Sequence, residues 1–549
     1  MQRRSFLQTL VSSVAFLAAG FGRRIASAES DLAKDVFACG VASGDPTADA
    51  VVLWTRIATP GNSTLSKDLR WQVATDAAMT DVVAAGMART DESRDFTVKV
   101  DATGLPSGRT VYYRFDVDGH FSPVGRTRTL PTGDLRLAKF AVVSCSNHPA
   151  GYFHAYREIA QQDDIDAVLH LGDYIYEYGM GGYATDRAGA LGRIPDPATE
   201  CLTLTDYRRR HAQYKQDADS RAMLAAHPLI AVWDDHETAN DAWRDGAQNH
   251  QPDEGKWTAR RDAAMQAWFE WMPIRNNRRN ERRRRGVTPI FRDFRYGNLA
   301  SVVMLDTRLY GRDAQANVSE TVSEETVTEA MRDAKRRMLG SRQERWLRQR
   351  LQASGDTVWQ IIGQQVMVAN MRSPDLEPVV NLDGPSYFSR EALETVVARS
   401  KGNPPGFLDT WDGYPHARED LLQDLSQYAR NPVLLSGDLH TALAAELIPA
   451  GAEKPVAVEF MTTSVSSPGI AAYLPEKSPD SLRDATLEQN PGIRFLDIHH
   501  RGWLCLTVTP QRCTGAWHFL STVHDRDYHS ELARSFWVAA DRVVDGLHG

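Results

Sequence analysis

Asp234-Asp235-His236-Glu237 sets four ionisable side chains in a row behind the apolar run Leu229-Ile230-Ala231-Val232-Trp233. At the end of a buried strand such a run is costly unless its members are paired or coordinate a cation. Three further segments share the plan. Val142-Val143-Ser144-Cys145 ends in a thiol, and Leu171-Gly172-Asp173-Tyr174-Ile175-Tyr176 in a carboxylate and a phenol. Leu435-Ser436-Gly437-Asp438-Leu439-His440 ends in a carboxylate and an imidazole two residues apart, which on an extended segment project to the same side. Asp173, presented after a glycine turn, could bridge two cations. Tyr176 is a poor ligand for Zn²⁺ or Mg²⁺ but a good one for a hard ion such as ferric iron, and Cys145 as thiolate is a strong donor. Each segment alone also admits a structural reading: an N-capping Asp with a packing Tyr, a salt-bridged helix start, a satisfied Asp-His pair, a buried small thiol. A phosphatase-type nucleophile at Cys145 would need an arginine six residues on, where Gly151 stands. Four such segments together suggest a multi-metal site along the rim of a sheet.

The elements that must position them change character along the chain. Residues 36–130 read as all-β, with strands over Ala50–Ile57, Leu69–Val73 and Phe96–Val100. Gly104-Leu105-Pro106 followed by a Tyr-rich alternating strand resembles the corner of a fibronectin type III or immunoglobulin-like sandwich. From about residue 136 strands alternate with helices. Strands are expected at 139–144, 165–171, 229–233, 300–305, 358–362 and 432–435, and helices at 152–162, 206–226 and 419–429. This predicts an α/β domain with a buried sheet, whose ligands gather outside the carboxyl ends of the strands. Ser530 to Leu547 is amphipathic and reads as a C-terminal helix. The arginines between Asn276 and Gly286 read as a solvated loop or as an electropositive rim that attracts anionic substrates.

Residues 1–28 read as a targeting segment. Arg3-Arg4-Ser5-Phe6-Leu7 is a twin-arginine motif before a short apolar stretch, and Ala26-Ser27-Ala28 supplies a small-x-small cleavage site. With no later run of 18 apolar residues, the mature protein is expected to be exported, periplasmic or secreted, and without a transmembrane segment. The net charge of -8 argues against a nucleic-acid-binding role. Five cysteines leave one unpaired in an oxidising compartment, with Cys145 the candidate; Cys505 and Cys513 could face each other across a hairpin.

The four segments together resemble the calcineurin-like metallophosphatase superfamily, with consistent departures. Cys145 stands for the first Asp of the superfamily pattern, Asp235 for its Asn, and Asp438 for the first His of its last motif. That combination is similar to the PhoD-type alkaline phosphatases and their phospholipase D-like phosphodiesterase relatives. Phe37-Ala38-Cys39-Gly40-Val41-Ala42-Ser43-Gly44-Asp45-Pro46, Gln343-Glu344-Arg345-Trp346-Leu347 and Trp411-Asp412-Gly413-Tyr414 also fit. The resemblance implies an α/β metallophosphatase core, a β-sandwich flanked by helices, over 136–549, preceded by the β domain at 36–130. It implies Fe³⁺ held by Cys145, Asp173, Tyr176 and His440, with Ca²⁺ at Asp173, Asp235 and Asp438. Such cations acidify a bound water and clamp a phosphoryl group for in-line attack. Asp173 and His236 are then the catalytic candidates, His236 donating to the phosphate or assisting the leaving oxygen. Tyr174, Asp234 and Glu237 support them, and Asp306 is structural. The implied partners are a mono- or diester substrate, possibly a phospholipid, and the twin-arginine export machinery. A phospholipase D-like diesterase and a non-catalytic metal- or phosphate-binding envelope protein are the alternatives.

Overall fold

The computed structural model describes residues 36–58, 66–275, 287–316, 329–382, 389–476 and 478–549. The targeting segment and the arginine cluster at 276–286 lie outside the described residues.

Short runs dominated by apolar residues become central parallel strands. Ala138–Val143, Ala167–His170 and Pro228–Ala231 pair in parallel, as do Ala300–Met304, Trp359–Gly363, Pro432–Ser436 and Ala457–Met461. Burial on both faces accounts for that composition. The first trio lies within a nine-stranded sheet. Its order is Ser530–Ala539, Arg512–Leu520, Arg501–Val508, the trio, Val41–Gly44, Ala50–Arg56 and Thr97–Thr103. The second set lies within a seven-stranded sheet that also holds Arg292–Tyr296, Ala442–Leu447 and Ile493–Asp497.

One apolar core joins the two sheets. Val142 and Leu504 of the first meet Val302, Ile361, Val433 and Phe460 of the second in one cluster. Alternate residues of the second sheet, Val303, Ile362 and Leu434, point the other way. There they meet Leu347 and Leu351 of the helix Ser341–Ala353 and Leu422 and Leu425 of the helix Pro415–Tyr428. Region 36–130 is all-β. Its strands Ala50–Arg56 and Thr97–Thr103 extend the first sheet, while Val82–Thr90, Lys67–Ala74 and Thr110–Val117 form a separate antiparallel one. Val51, Leu53 and Val98 pack on Val73, Tyr113 and Phe115 between them.

Three expectations are corrected. Residues 530–547 form no helix: Ser530–Ala539 is a strand paired antiparallel with Arg512–Leu520, followed by a 3-10 turn at Val543–Asp545. The apolar spacing there suits either period, and the open edge of Arg512–Leu520 supplies a ladder that decides between them. The helix expected over 206–226 is two, Leu204–Gln216 and Ala218–Ala226. Asp217 breaks it with an extended ψ of 133°, and its carboxylate accepts from the backbone N–H groups of Asp219 and Ser220 as the second helix's cap. Cys505 pairs across its hairpin with Ala516, and Cys513 with Val508, so the two thiols do not face each other; all five cysteines are free and buried.

Lys215 on the first of these helices is fully buried, its Nζ without a hydrogen-bond partner. It lies 5.0 Å from the Trp54 ring centre and 4.8 Å from that of Tyr174. Burial pulls its titration from 10.5 down to about 7. The unfolded side chain keeps its proton up to about 10.5, so the penalty on the folded state is complete below pH 7 and fades as pH rises towards 10.5. Lys215→Met is therefore expected to raise the melting temperature clearly at about pH 6 and little at about pH 10, with a gain of a few kcal/mol at most. Thermal melts at the two pH values check it.

No helix among the described residues is long and apolar enough to cross a membrane.

Candidate metal centre

The four chemical segments leave their strands side by side, at the carboxyl ends of both sheets. Four of the residues they deliver, Cys145, Asp173, Asp438 and His440, sit at positive φ, of 60°, 54°, 67° and 55°. Non-glycine residues seldom adopt this region, and it concentrates at functional sites. Gly172, at φ 118°, is where the chain bends most sharply; a Cβ there would lie 2.5 Å from the backbone nitrogen of Asp234. Glu237 ties the loops together. Its carboxylate accepts from the backbone N–H of Asp173 at 3.1 Å, of Tyr174 at 2.6 Å and of Asp234 at 2.8 Å.

The side chains gather in three overlapping sets, with ligand atoms within 4.8 Å of one another: Cys145, Asp173 and His440; Asp173, Asp235 and His236; Asp234, Asp235 and Asp438. Asp173 and Asp235 each belong to two sets. Tyr176 joins the first, its hydroxyl 3.0 Å from Asp173 Oδ2 and 3.1 Å from His440 Nε2. His440 Nδ1 is 3.0 Å from the Pro468 carbonyl, which can only accept. That contact puts the imidazole proton on Nδ1 and turns the Nε2 lone pair inward. Burial holds the ring far below its ordinary pKa, at about 3, so it is neutral. All six residues expected as metal ligands, and His236, are thus brought together.

The electrostatics suit cations. Burial pushes the Cys145 thiol and the Asp173 and Asp438 carboxyls well above their ordinary ranges, and neighbouring carboxylates add to it. Asp235 Oδ1 is buried without a hydrogen-bond partner, while its Oδ2 accepts from Asp241 N at 2.6 Å. A thiol, a phenol, an imidazole and a carboxylate on one side fit a transition metal such as iron, and carboxylates on the other fit a hard divalent ion.

Three participants escaped the sequence reading. Glu177 is fully buried, and its Oε2 lies 2.8 Å from His236 Nδ1 while its Oε1 accepts from Asn240 N and Asn249 Nδ2. Arg308, also fully buried, donates to Asp234, to Asp438 at 2.8 Å and to Asp409 at 2.7 Å. Asp409 also receives Arg312 at 2.6 Å. Glu177 directly follows Tyr176, so its place in the motif was a usable signal. Arg308 stands 74 residues from Asp234 and 130 from Asp438, and nothing local marks it. Asp306 is structural, its Oδ1 accepting from the backbone N–H of Arg308 and Leu309 to close the turn.

A family model described as PhoD-like phosphatase matches residues 140–517. The chain belongs to the PhoD-like phosphatase family. A second model, for the N-terminal domain of PhoD-like phosphatases, matches residues 24–131. Alkaline phosphatase D of Bacillus subtilis (strain 168) is 35% identical over 491 residues, covering 87% of this chain and 76% of that protein. A solved structure of PhoD superposes with a TM-score of 0.77 at 32% identity, covering 93% of this chain and 91% of the other. The purple acid phosphatase PPD1 from yellow lupin (Lupinus luteus) seeds superposes with a TM-score of 0.53 at 12% identity, covering 92% and 75%. This last likeness is one of fold, the metallophosphatase sandwich shared by PhoD-like and purple acid phosphatases.

Proposed function

We propose that this chain is an exported, metal-dependent phosphoester hydrolase, and that the connected cluster of Cys145, Asp173, Tyr176, Asp235, Asp438 and His440 is its metal centre. The observation that carries the reading is the place of Asp173, whose carboxylate lies within 4.8 Å of the Cys145 and His440 donors on one side and of the Asp235 carboxylate on the other, so that the buried donors form one connected cluster. The donor chemistry supports Fe³⁺ with Cys145, Asp173, Tyr176 and His440, and Ca²⁺ with Asp173, Asp235 and Asp438. Bound there, the ions supply a nucleophilic water at ordinary pH and neutralise phosphoryl charge. The chain's own residues supply the rest. Burial opposes a charge on His236, but the carboxylates of Asp235, Glu177 and Asp173 overcome it and hold the ring protonated well above the usual histidine range. With Nδ1 held by Glu177, its Nε2–H is the atom that donates to a phosphoryl or leaving oxygen. Glu237 and Gly172 fix the loop that presents Asp173. Export by the twin-arginine route is supported by Arg3-Arg4 and the Ala26-Ser27-Ala28 cleavage pattern.

The test is elemental analysis and a visible spectrum of protein purified without added metal, beside assays on a phosphomonoester, a phosphodiester and phosphatidylcholine. Iron bound by the Tyr176 phenolate and Cys145 thiolate is expected to give a charge-transfer colour. A colourless, iron-free, fully active enzyme would overturn the iron assignment. Turnover of phosphatidylcholine far above the other two esters would favour the phospholipase D-like alternative.

A further inference from the structure

The centre opens on one side. Cys145, Asp173 and Tyr176 are buried, whereas Asp438 and His440 keep partial exposure, as do Tyr183, Tyr473 and Arg501. The mouth therefore lies beside His440. Tyr183 forms one wall, its hydroxyl 3.2 Å from His440 Nδ1 and its ring centre 6.3 Å from that of Tyr473. Arg501 begins the strand Arg501–Val508. The next residue, Gly502, donates its N–H to Ser464 O at 2.9 Å, which anchors Arg501 beside the turn that brings the Pro468 carbonyl to His440.

Among the described residues the arginine makes no ion pair, although the Asp497 charge bears on it. Its Nη1 donates to the His499 carbonyl at 2.8 Å, while its Nε is buried without a hydrogen-bond partner. Its charge bears on Tyr183, Tyr473 and His440. The carboxylate within its reach, Asp497, is engaged instead by His500, through Nδ1 at 2.9 Å and the backbone N–H at 2.8 Å. A guanidinium drawn largely out of water with no anion is costly, and its planar fork matches carboxylate and phosphate oxygens in pairs.

We propose that Arg501 forms an anion subsite at the mouth of the centre, which takes a second anionic group of the substrate, a carboxylate or a further phosphate, next to the phosphoryl group under attack. The proposal rests on the phosphoester-hydrolase reading and adds a substrate class to it. Neutral-armed esters reach the metal centre without this contact, and anionic-armed ones gain from it.

Calorimetric titration of the metal-loaded protein with stable phosphonates tests the subsite. Propylphosphonate is the neutral-armed control; 3-phosphonopropionate and 4-phosphonobutyrate carry a carboxylate arm, and 1,3-propylenebisphosphonate a second phosphonate. The wild type is expected to bind at least one armed probe about tenfold more tightly than the control. Arg501→Met is expected to erase that preference while changing propylphosphonate affinity less than about twofold, with Arg501→Lys between. Which arm is preferred identifies carboxylate or phosphate as the anion. No preference in the wild type, or equal losses for control and armed probes in Arg501→Met, overturns the proposal. Hydrolysis of phosphoesters without any such preference refutes the subsite alone. An Arg501-dependent preference in a protein that hydrolyses no phosphoester refutes the hydrolase reading alone.

Discussion

Asp173→Asn is expected to lower kcat/KM by more than about 10³-fold, equivalent to about 4 kcal/mol or more of transition-state stabilisation, and to strip the protein of metal. The substitution keeps shape and removes one negative charge from the residue that belongs to both the thiol-containing and the Asp235 ligand sets. Asparagine also tolerates the left-handed backbone at this position better than other neutral residues with a side chain do. The melting temperature should therefore change little, which separates loss of the centre from loss of the fold. Relief of carboxylate crowding with Asp234, Asp235 and Glu237 works in the same direction, towards a stable apoprotein. Elemental analysis, a thermal melt and steady-state kinetics on one preparation check the set. Activity that survives the loss of metal would overturn metal dependence.

Glu177→Gln separates holding the metals from holding the proton donor. Among the described residues, the Glu177 carboxylate hydrogen-bonds His236, whose Nδ1 it holds at 2.8 Å, together with Asn240 and Asn249, which belong to no ligand set. Outer groups of this kind typically contribute about 10- to 100-fold in activity, and a loss of that size in kcat/KM is expected with metal content unchanged. The pH profile carries the sign. His236 acts as its protonated form, so activity falls as pH rises through its pKa, and the Glu177 charge is one of the terms holding that pKa up. Removing the charge lowers the pKa and moves the alkaline limb of the kcat/KM profile to lower pH. A purely structural role for Glu177 would reduce activity at every pH alike and leave the limb where it was.

Much of this centre is legible in the chain because each ligand is local to its strand. An apolar run, a tight turn and a donor side chain can be read within six residues, as in Leu171 to Tyr176 and Leu435 to His440. The same locality explains what was hidden. Arg308 serves Asp234, Asp235, Asp409 and Asp438 from a different strand end, so only the assembled fold shows that one guanidinium answers four carboxylates. Ser530–Ala539 was misread for a related reason: its conformation is dictated by the edge of Arg512–Leu520, which the segment itself does not contain. Nothing local marks Lys215 as buried: the rings of Trp54 and Tyr174, both distant in the chain, lie across it. At Asp217, by contrast, a weak helix former between two helical runs was a visible stop signal, since aspartate is among the strongest caps.

The left-handed backbone at Cys145, Asp173, Asp438 and His440 has an evolutionary consequence. Glycine would occupy each of these four positions with less conformational penalty than the residue found there, by on the order of 1 kcal/mol apiece. Selection for heat resistance alone would therefore drift the centre towards residues that cannot perform its chemistry. Keeping four reactive side chains where the polypeptide prefers none of them is a standing cost, carried by the two packed sheets beneath.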